Sequence, residues 1–304
     1  MRHHRRSPGK DPGMSAVIES DLQHGALAIR PLQPTIGAEI EGVDLRYPLS
    51  DATRDQIKAA ILEYKVVFFR DQDTDRDQHA AFARQFGPLY THPSVNKPDA
   101  GKAPAVHRIS AADAKAHEKT VKPDDQAGAE NWDPYHSDTS WRLVPTWGAV
   151  LRAVTLPEVG GDTIWVDAGL AYDALPDDAK QRLDGRYVTH DYRAALASSG
   201  HDYPIVAHPV VRTHRETGRK ILWVNFSQHP WIVGLDGAES RELLSIVHDQ
   251  YRKPEFQVRF SWRPGSIAFW DNRAAVHYAV RNYGDFPRLL ERILIADEPQ
   301  YADL

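Results

Sequence analysis

The residues with the clearest chemistry are few. His136-Ser137-Asp138 is the one His-x-Asp pattern of the chain, and His277 follows on a β-rich stretch far downstream. On a strand, residues i and i+2 point to the same face, so this imidazole and carboxylate could bind one metal ion together. A chain with 15 His makes one such pairing by chance, so the motif gains its weight from company. Two His and one carboxylate form a facial triad that leaves one face of an octahedral metal open, which suits non-haem Fe(II) oxygen chemistry. A zinc site built from protein alone takes a fourth ligand or leaves one position for water. Arg288 and Arg292 follow His277 closely. A guanidinium offers a planar fork to a carboxylate and stays charged.

Composition narrows the alternatives. The chain has 304 residues and no Cys, which excludes disulfide scaffolds, iron–sulfur clusters, Cys-based zinc sites and thiol nucleophiles. Its formal net charge is −5, so nucleic acid is not an expected partner. No apolar run approaches the ~20 residues of a membrane span. No secretory pattern opens the chain, and the cytoplasm is the expected compartment. Residues 1–20 read as a flexible tail, basic over its first 13 residues, with Met14 a candidate natural start. Residues 21–304 read as a single domain. The segment near 93–131 is rich in Pro, Ala, Lys, Asp and Gly with little periodicity, as a lid-like insert would be.

The elements that must position the chemistry are mostly strands. Short strands are expected at 27–30, 36–40 and 65–70. A helix over 51–64 is capped by Ser50, and a second over 75–86 by Thr74 with Gly87 after its end. From 147 onward strands are expected at 147–154, 162–166, 186–191, 207–213, 220–225, 256–262, 266–270, 274–279 and 289–296. Helices interrupt them at about 168–183 and 236–251. Many short strands with few helices predict a mainly β fold, an antiparallel sandwich or barrel with the early helices packed on one face.

At this point the sequence resembles the TauD/TfdA, taurine dioxygenase-like, family of Fe(II)/2-oxoglutarate-dependent oxygenases. The resemblance runs over roughly residues 27–300. It is carried in order by Ile36-Gly37-Ala38-Glu39-Ile40-Glu41-Gly42-Val43-Asp44, Val66-Val67-Phe68-Phe69-Arg70, Phe86-Gly87-Pro88-Leu89, His136-Ser137-Asp138, Gly160-Gly161-Asp162-Thr163, His208-Pro209-Val210-Val211, and Trp270-Asp271-Asn272-Arg273 leading to His277, Arg288 and Arg292. It implies a double-stranded β-helix, or jelly-roll barrel, with flanking helices. It implies that His136, Asp138 and His277 are iron ligands and that 2-oxoglutarate chelates the metal. Arg288 and Thr163 then hold the distal carboxylate of 2-oxoglutarate, and Arg292 lies between that cosubstrate and an anionic group on the prime substrate. The implied reaction consumes O2 and 2-oxoglutarate, yields succinate and CO2, and hydroxylates the substrate. Asp138 argues for oxygenation over halogenation, because related halogenases lack the carboxylate. Family members are often dimers or tetramers, so a homodimer or homotetramer is expected.

The substrate is read from the same resemblance. His92 matches a His of the sulfonate-active members and with Arg292 could clamp a sulfonate, sulfate or carboxylate. Asn131, Tyr135, Thr139 and Trp141 are further pocket candidates. Two departures count against taurine itself: Val95 stands where the taurine enzyme has Tyr, and Asn131 is displaced from the Asn that precedes the first iron ligand. A small anionic substrate is expected, a sulfonate, sulfate ester or carboxylic acid. An alternative is hydroxylation or desaturation in specialised-metabolite biosynthesis. The rivals from other classes are a metal hydrolase, which needs no 2-oxoglutarate, and a binding protein on the same barrel, which would lack a ligand or an arginine.

Overall fold

The computed structural model describes residues 27–93, 106–110, 132–196 and 203–297. Residues 1–20 and Asn131 lie outside them, as do Val95 and most of the 93–131 segment. The described part of that segment includes a strand, His107–Ser110.

The architecture follows from period-two alternation. The first sheet combines β1 (Ala28–Pro31), β2 (Ala38–Glu41), β3 (Val66–Phe69), β4 (Leu89–Tyr90), β5 (His107–Ser110), β6 (Gly148–Thr155), β13 (Ile267–Asp271) and β15 (Leu289–Ile295). Its order is β1-β2-β3-β13-β6-β15, and β4 and β5 lie end to end along the free edge of β15. A smaller sheet sets β7 (Thr163–Asp167) between β12 (Gln257–Phe260) and β14 (Ala275–Ala279). Two short hairpin-like sheets pair β8 (Tyr187–His190) with β9 (Val206–Pro209), and β10 (Val211–Thr213) with β11 (Lys220–Leu222).

Each central strand divides its residues between two cores. Val66 and Phe68 of β3, Ala149 and Leu151 of β6, Ala268 and Trp270 of β13, and Leu290 and Leu294 of β15 face inward. They meet Trp165, Val258, Phe260 and Ala275 of the small sheet. Phe68 stacks on Phe260 at 4.0 Å and meets Trp165 edge-on at 5.4 Å. The alternate residues Val67, Phe69, Val150, Phe269 and Ile293 face outward, under helices α1 (Asp51–Tyr64) and α2 (Arg76–Arg84). Val166 and Val276 leave the small sheet on its outer side. There they pack with α3 (Ala168–Asp173), α4 (Asp177–Leu183) and, beyond the short α5 (Arg193–Leu196), α6 (Gly237–Tyr251).

The expected elements hold with local corrections. Ser50 caps α1 through Thr53 N. Asp75, not Thr74, caps α2, because Asp75 and Gln78 form a reciprocal capping box. The expected helix over 168–183 is two helices, since Pro176 has no N–H to continue the first and instead stands at the start of the second. The expected strand over 207–213 is broken at Val210, whose carbonyl accepts from Trp223 N outside the ladder. No helix among the described residues is long and apolar enough to cross a membrane.

Candidate active site

His136 and His277 are joined by the main chain. His136 N donates to His277 O at 3.0 Å, and His277 N donates to His136 O at 2.8 Å. A pair that exchanges both bonds lies directly opposite in an antiparallel ladder, with side chains on one face. The ring centroids are therefore 4.2 Å apart. Register fixes which face this is. His277 opposes Trp165, an inner residue of β7, so both imidazoles point between the sheets.

Asp138 is not on a strand, contrary to the sequence expectation. The extended stretch ends at the single His136 bridge, and Asp138 opens a turn. Thr139 takes φ +56°, which bends the chain, and its hydroxyl binds Thr146 N at 2.8 Å and Thr146 Oγ1 at 2.9 Å. Asn272 Oδ1 accepts from Asp138 N at 3.3 Å and from Trp270 Nε1 at 2.8 Å. The carboxylate thus reaches the two imidazoles through a pinned turn. Asp271 anchors the same corner. It is buried, binds Arg273 Nη2 at 2.6 Å and lies 3.1 Å from His214 Nε2.

One ligand atom from each of His136, Asp138 and His277 falls within 4.8 Å of the others. Burial, opposed by Asp138, keeps the His136 ring below its ordinary pKa; burial, His136 and Arg292 hold His277 well below its own. Both are neutral imidazoles at neutral pH, the form that ligates metal. His136 Nδ1 lies 2.9 Å from Pro134 O, which places the proton on Nδ1 and leaves Nε2 for a metal. Asp138 Oδ2 and His277 Nδ1 are buried without a hydrogen-bond partner. Two neutral imidazoles and a carboxylate with an unsatisfied oxygen fit a divalent iron with an open face.

The two arginines take different stations. Arg288 is buried and donates through Nε and Nη2 to Gly161 O at 3.1 and 2.9 Å. No carboxylate among the described residues pairs with it within ion-pair distance, and burial lowers its pKa. Gly161 permits this approach: φ is +73°, and a Cβ there would sit 2.9 Å from Arg288 Nε. Thr163, two residues after Gly161 and the first of β7, shares the inner face with Trp165 and His277. Its hydroxyl accepts from Trp262 Nε1 at 3.0 Å, leaving its own proton to donate. Arg292 reaches in from β15, opposite the inner residue Leu151. Its Nη1 pairs with Asp138 Oδ1, and its Nη2 lies 3.1 Å from His107 Nδ1.

An aromatic cluster adjoins this guanidinium. The His92 and His107 rings stack at 5.0 Å and 8°. Trp141 meets His92 edge-on at 6.0 Å, stacks on Tyr192 at 5.7 Å and meets Tyr203 at 4.8 Å. Burial, with Arg292 and His107, pushes the His92 pKa down to about 3. His92 and Trp141 both belong to this cluster, and Tyr135 does not. It follows period two to the face opposite His136 and packs behind the small sheet with His248, Tyr251 and Tyr278. Its hydroxyl accepts from Gln257 Nε2 at 3.0 Å. Thr139 is buried near the triad, but both contacts of its hydroxyl fix the turn. His107 and Tyr192 carry no motif and emerge only from the fold; Asn272 stood inside the Trp-Asp-Asn-Arg run without a role.

A two-His, one-carboxylate centre between the sheets of a mainly β fold, with the guanidinium of Arg292 against its carboxylate, is the arrangement of a non-haem iron oxygenase. Residues 28–294 match the taurine catabolism dioxygenase TauD, TfdA family, and the chain belongs to it. It is a 2-oxoglutarate-dependent dioxygenase with the jelly-roll fold of that family, using Fe(II), 2-oxoglutarate and O2. It is 32% identical to an alkylsulfatase of Acinetobacter baylyi, over 94% of this chain and 89% of the relative. It is 34% identical to a (S)-phenoxypropionate/alpha-ketoglutarate-dioxygenase of Sphingobium herbicidovorans, over 90% and 96%. A crystal structure of a taurine dioxygenase from Burkholderia xenovorans superposes with a TM-score of 0.76 at 36% identity, covering 90% of this chain and 92% of that one.

Proposed function

We propose that this dioxygenase hydroxylates a small anionic organic substrate, a sulfonate, sulfate ester or carboxylic acid. The observation that carries the reading is Arg292, a largely buried guanidinium, its side chain 11% exposed, held between Asp138 and the His92–His107 stack. Asp138 is also a metal ligand, so once its charge is committed to a bound divalent iron the guanidinium is left for an anionic group of the substrate. The names of the relatives point the same way: one is an alkylsulfatase and another acts on a phenoxypropionate.

The residue roles follow. His136, Asp138 and His277 hold the iron, which when bound supplies the oxygen activation that no side chain can provide. Arg288 and the Thr163 hydroxyl receive the distal carboxylate of 2-oxoglutarate. Arg292 and His92 receive the anionic group of the prime substrate and fix which carbon faces the centre. Trp141, Tyr192 and Tyr203 wall the pocket and keep water from the reacting carbon. Hydroxylation of a carbon bearing sulfur or an ester oxygen gives an adduct that breaks down, so the outcome with such substrates is release of sulfite, sulfate or an alcohol fragment. Residues 21–304 act as one domain, in the cytoplasm.

The test is succinate formation with Fe(II), ascorbate and 2-oxoglutarate under air, across alkyl sulfonates, alkyl sulfates and aryloxyalkanoates. Stimulation by at least one anionic class supports the reading. Stimulation only by neutral or cationic compounds refutes it.

A further inference from the structure

The role of His107 goes beyond that reading and rests on it, since it acts through the arginine that receives the substrate anion. We infer that His107 is a positioning residue that aims Arg292. The two strands beside β15 make different offers at this point. On β6 the residue opposite Arg292 is Leu151, which has no polar side-chain atom. On β5 it is His107. Directly opposed residues share a face, so His107 enters the interior beside the guanidinium by register alone. The contact is 3.1 Å, from Arg292 Nη2 to His107 Nδ1.

The chemistry of the contact fixes its polarity. Arginine is always a donor, so Nδ1 is the acceptor and carries no proton. The ring is then neutral with its proton on Nε2, and it attracts the guanidinium rather than repelling it. The two terminal nitrogens of Arg292 are thereby tied to different partners, Nη1 to Asp138 and Nη2 to His107. This splays the planar fork across the pocket in one orientation. The parallel stack on His92, 5.0 Å away, holds the His107 ring in the plane that the contact needs. A long flexible side chain is costly to order, and a fixed acceptor removes that cost before the substrate arrives. His107 so decides how well an anion is held, without touching the reacting carbon.

Two variants separate this role from packing. His107→Phe keeps a flat ring against His92 and removes the acceptor. His107→Gln keeps an acceptor oxygen and removes the ring. Steady-state succinate formation is measured with hexyl sulfate and with phenoxyacetate. The expected result for His107→Phe is a KM for the anionic probe raised about tenfold, the loss of one hydrogen bond to a charged group, with kcat changed far less. His107→Gln restores KM to within about threefold of wild type, the residue of a less well held acceptor. Independently of turnover, nitrogen NMR of histidine-labelled protein reports the tautomer. The expected signal is an unprotonated, hydrogen-bonded Nδ1 on His107 whose shift moves in Arg292→Leu.

A protonated Nδ1, or a shift indifferent to Arg292→Leu, overturns the inference whatever the substrate. So does an unchanged KM in His107→Phe, or an equal loss in both variants that tracks a fall in thermal stability. Absence of turnover with every anionic probe in wild type instead overturns the proposed function, and the aiming role falls with it.

Discussion

Arg288 offers the sharpest test of the cosubstrate site. It is a buried cation that donates to the carbonyl of Gly161 and is also hydrogen-bonded to the Tyr283 side chain, with no carboxylate in ion-pair reach among the described residues. Replacing it with Met keeps the length and apolar bulk and removes the charge. A hydrogen-bonded contact to a charged group contributes about 1.5–3 kcal/mol, so 2-oxoglutarate should bind Arg288→Met about 10- to 150-fold more weakly. Thermal unfolding with Mn(II) in place of iron reads this without turnover. At a 2-oxoglutarate concentration of about 100 times the wild-type Kd, binding stabilises wild type by about 2.7 kcal/mol and the variant by about 0.3–1.4 kcal/mol. At about 2 °C per kcal/mol for a chain of this size, the wild-type shift of about 5 °C falls below about 3 °C. Pyruvate lacks the distal carboxylate and serves as the control: it should shift both proteins equally. Without ligand, the variant loses the bonds to Gly161 and Tyr283 but also the cost of a buried charge with no carboxylate partner, so its own Tm should change little. A 2-oxoglutarate shift as large in Arg288→Met as in wild type refutes the assignment.

Other expectations are more briefly stated. Gly161→Ala puts a methyl 2.9 Å from Arg288 Nε at φ +73°. It should cost about 1–2 kcal/mol in urea unfolding and raise the KM for 2-oxoglutarate; an unchanged KM would detach Gly161 from the site. Asn272→Ala frees Asp138 N, and Mn(II) affinity followed by electron paramagnetic resonance should fall about 10- to 100-fold. His136→Ala and Asp138→Ala should each abolish succinate formation, and wild-type turnover in either would displace the metal assignment. His79 and His208 give a pH dependence of stability. Burial, reinforced by Arg152 at His79 and by Arg212 at His208, pushes their pKa values down to about 3 and about 4. Both stay neutral in the fold but gain a proton on unfolding near pH 6.5. Their contribution is therefore complete above pH 6.5 and is lost as pH falls toward 4 and then 3. Urea midpoints between pH 7 and 5 should drop, and His79→Met should flatten the drop; an unaltered slope would count against it.

Much of the fold was legible because strand alternation is a local signal. Val66–Phe69 and the first four residues of β13, Ile267 to Trp270, are apolar throughout, and a strand buried on both faces must look that way. The metal ligands were legible because their motif is short and ordered. The failures are instructive in kind. Tyr135 stands beside His136 in the chain, yet one residue along an extended backbone reverses the face, so nearness in sequence misled. Asp138 was expected on a strand because i and i+2 spacing suits one, whereas the turn at Thr139 delivers it equally well. His107 could not be found from the chain at all. Its partner is set by the register of β5 against β15, a pairing across 185 residues that no local pattern encodes.

The main-chain bridge between His136 and His277 has a further consequence for how the centre is assembled. The two ligands are 277 − 136 = 141 residues apart. Closing a flexible loop of that length costs about 4 kcal/mol by chain statistics, plus a constant. In proteins whose metal gathers distant ligands, the ion itself must offset that entropy, and removing it unfolds the chain. Here the sheets offset it, since the backbone bonds of the bridge and the flanking strands hold both imidazoles in place. The binding free energy of the ion is then left to set its occupancy and selectivity rather than to fold the protein. A centre built this way can lose iron to a chelator, keep its shape, and be reloaded.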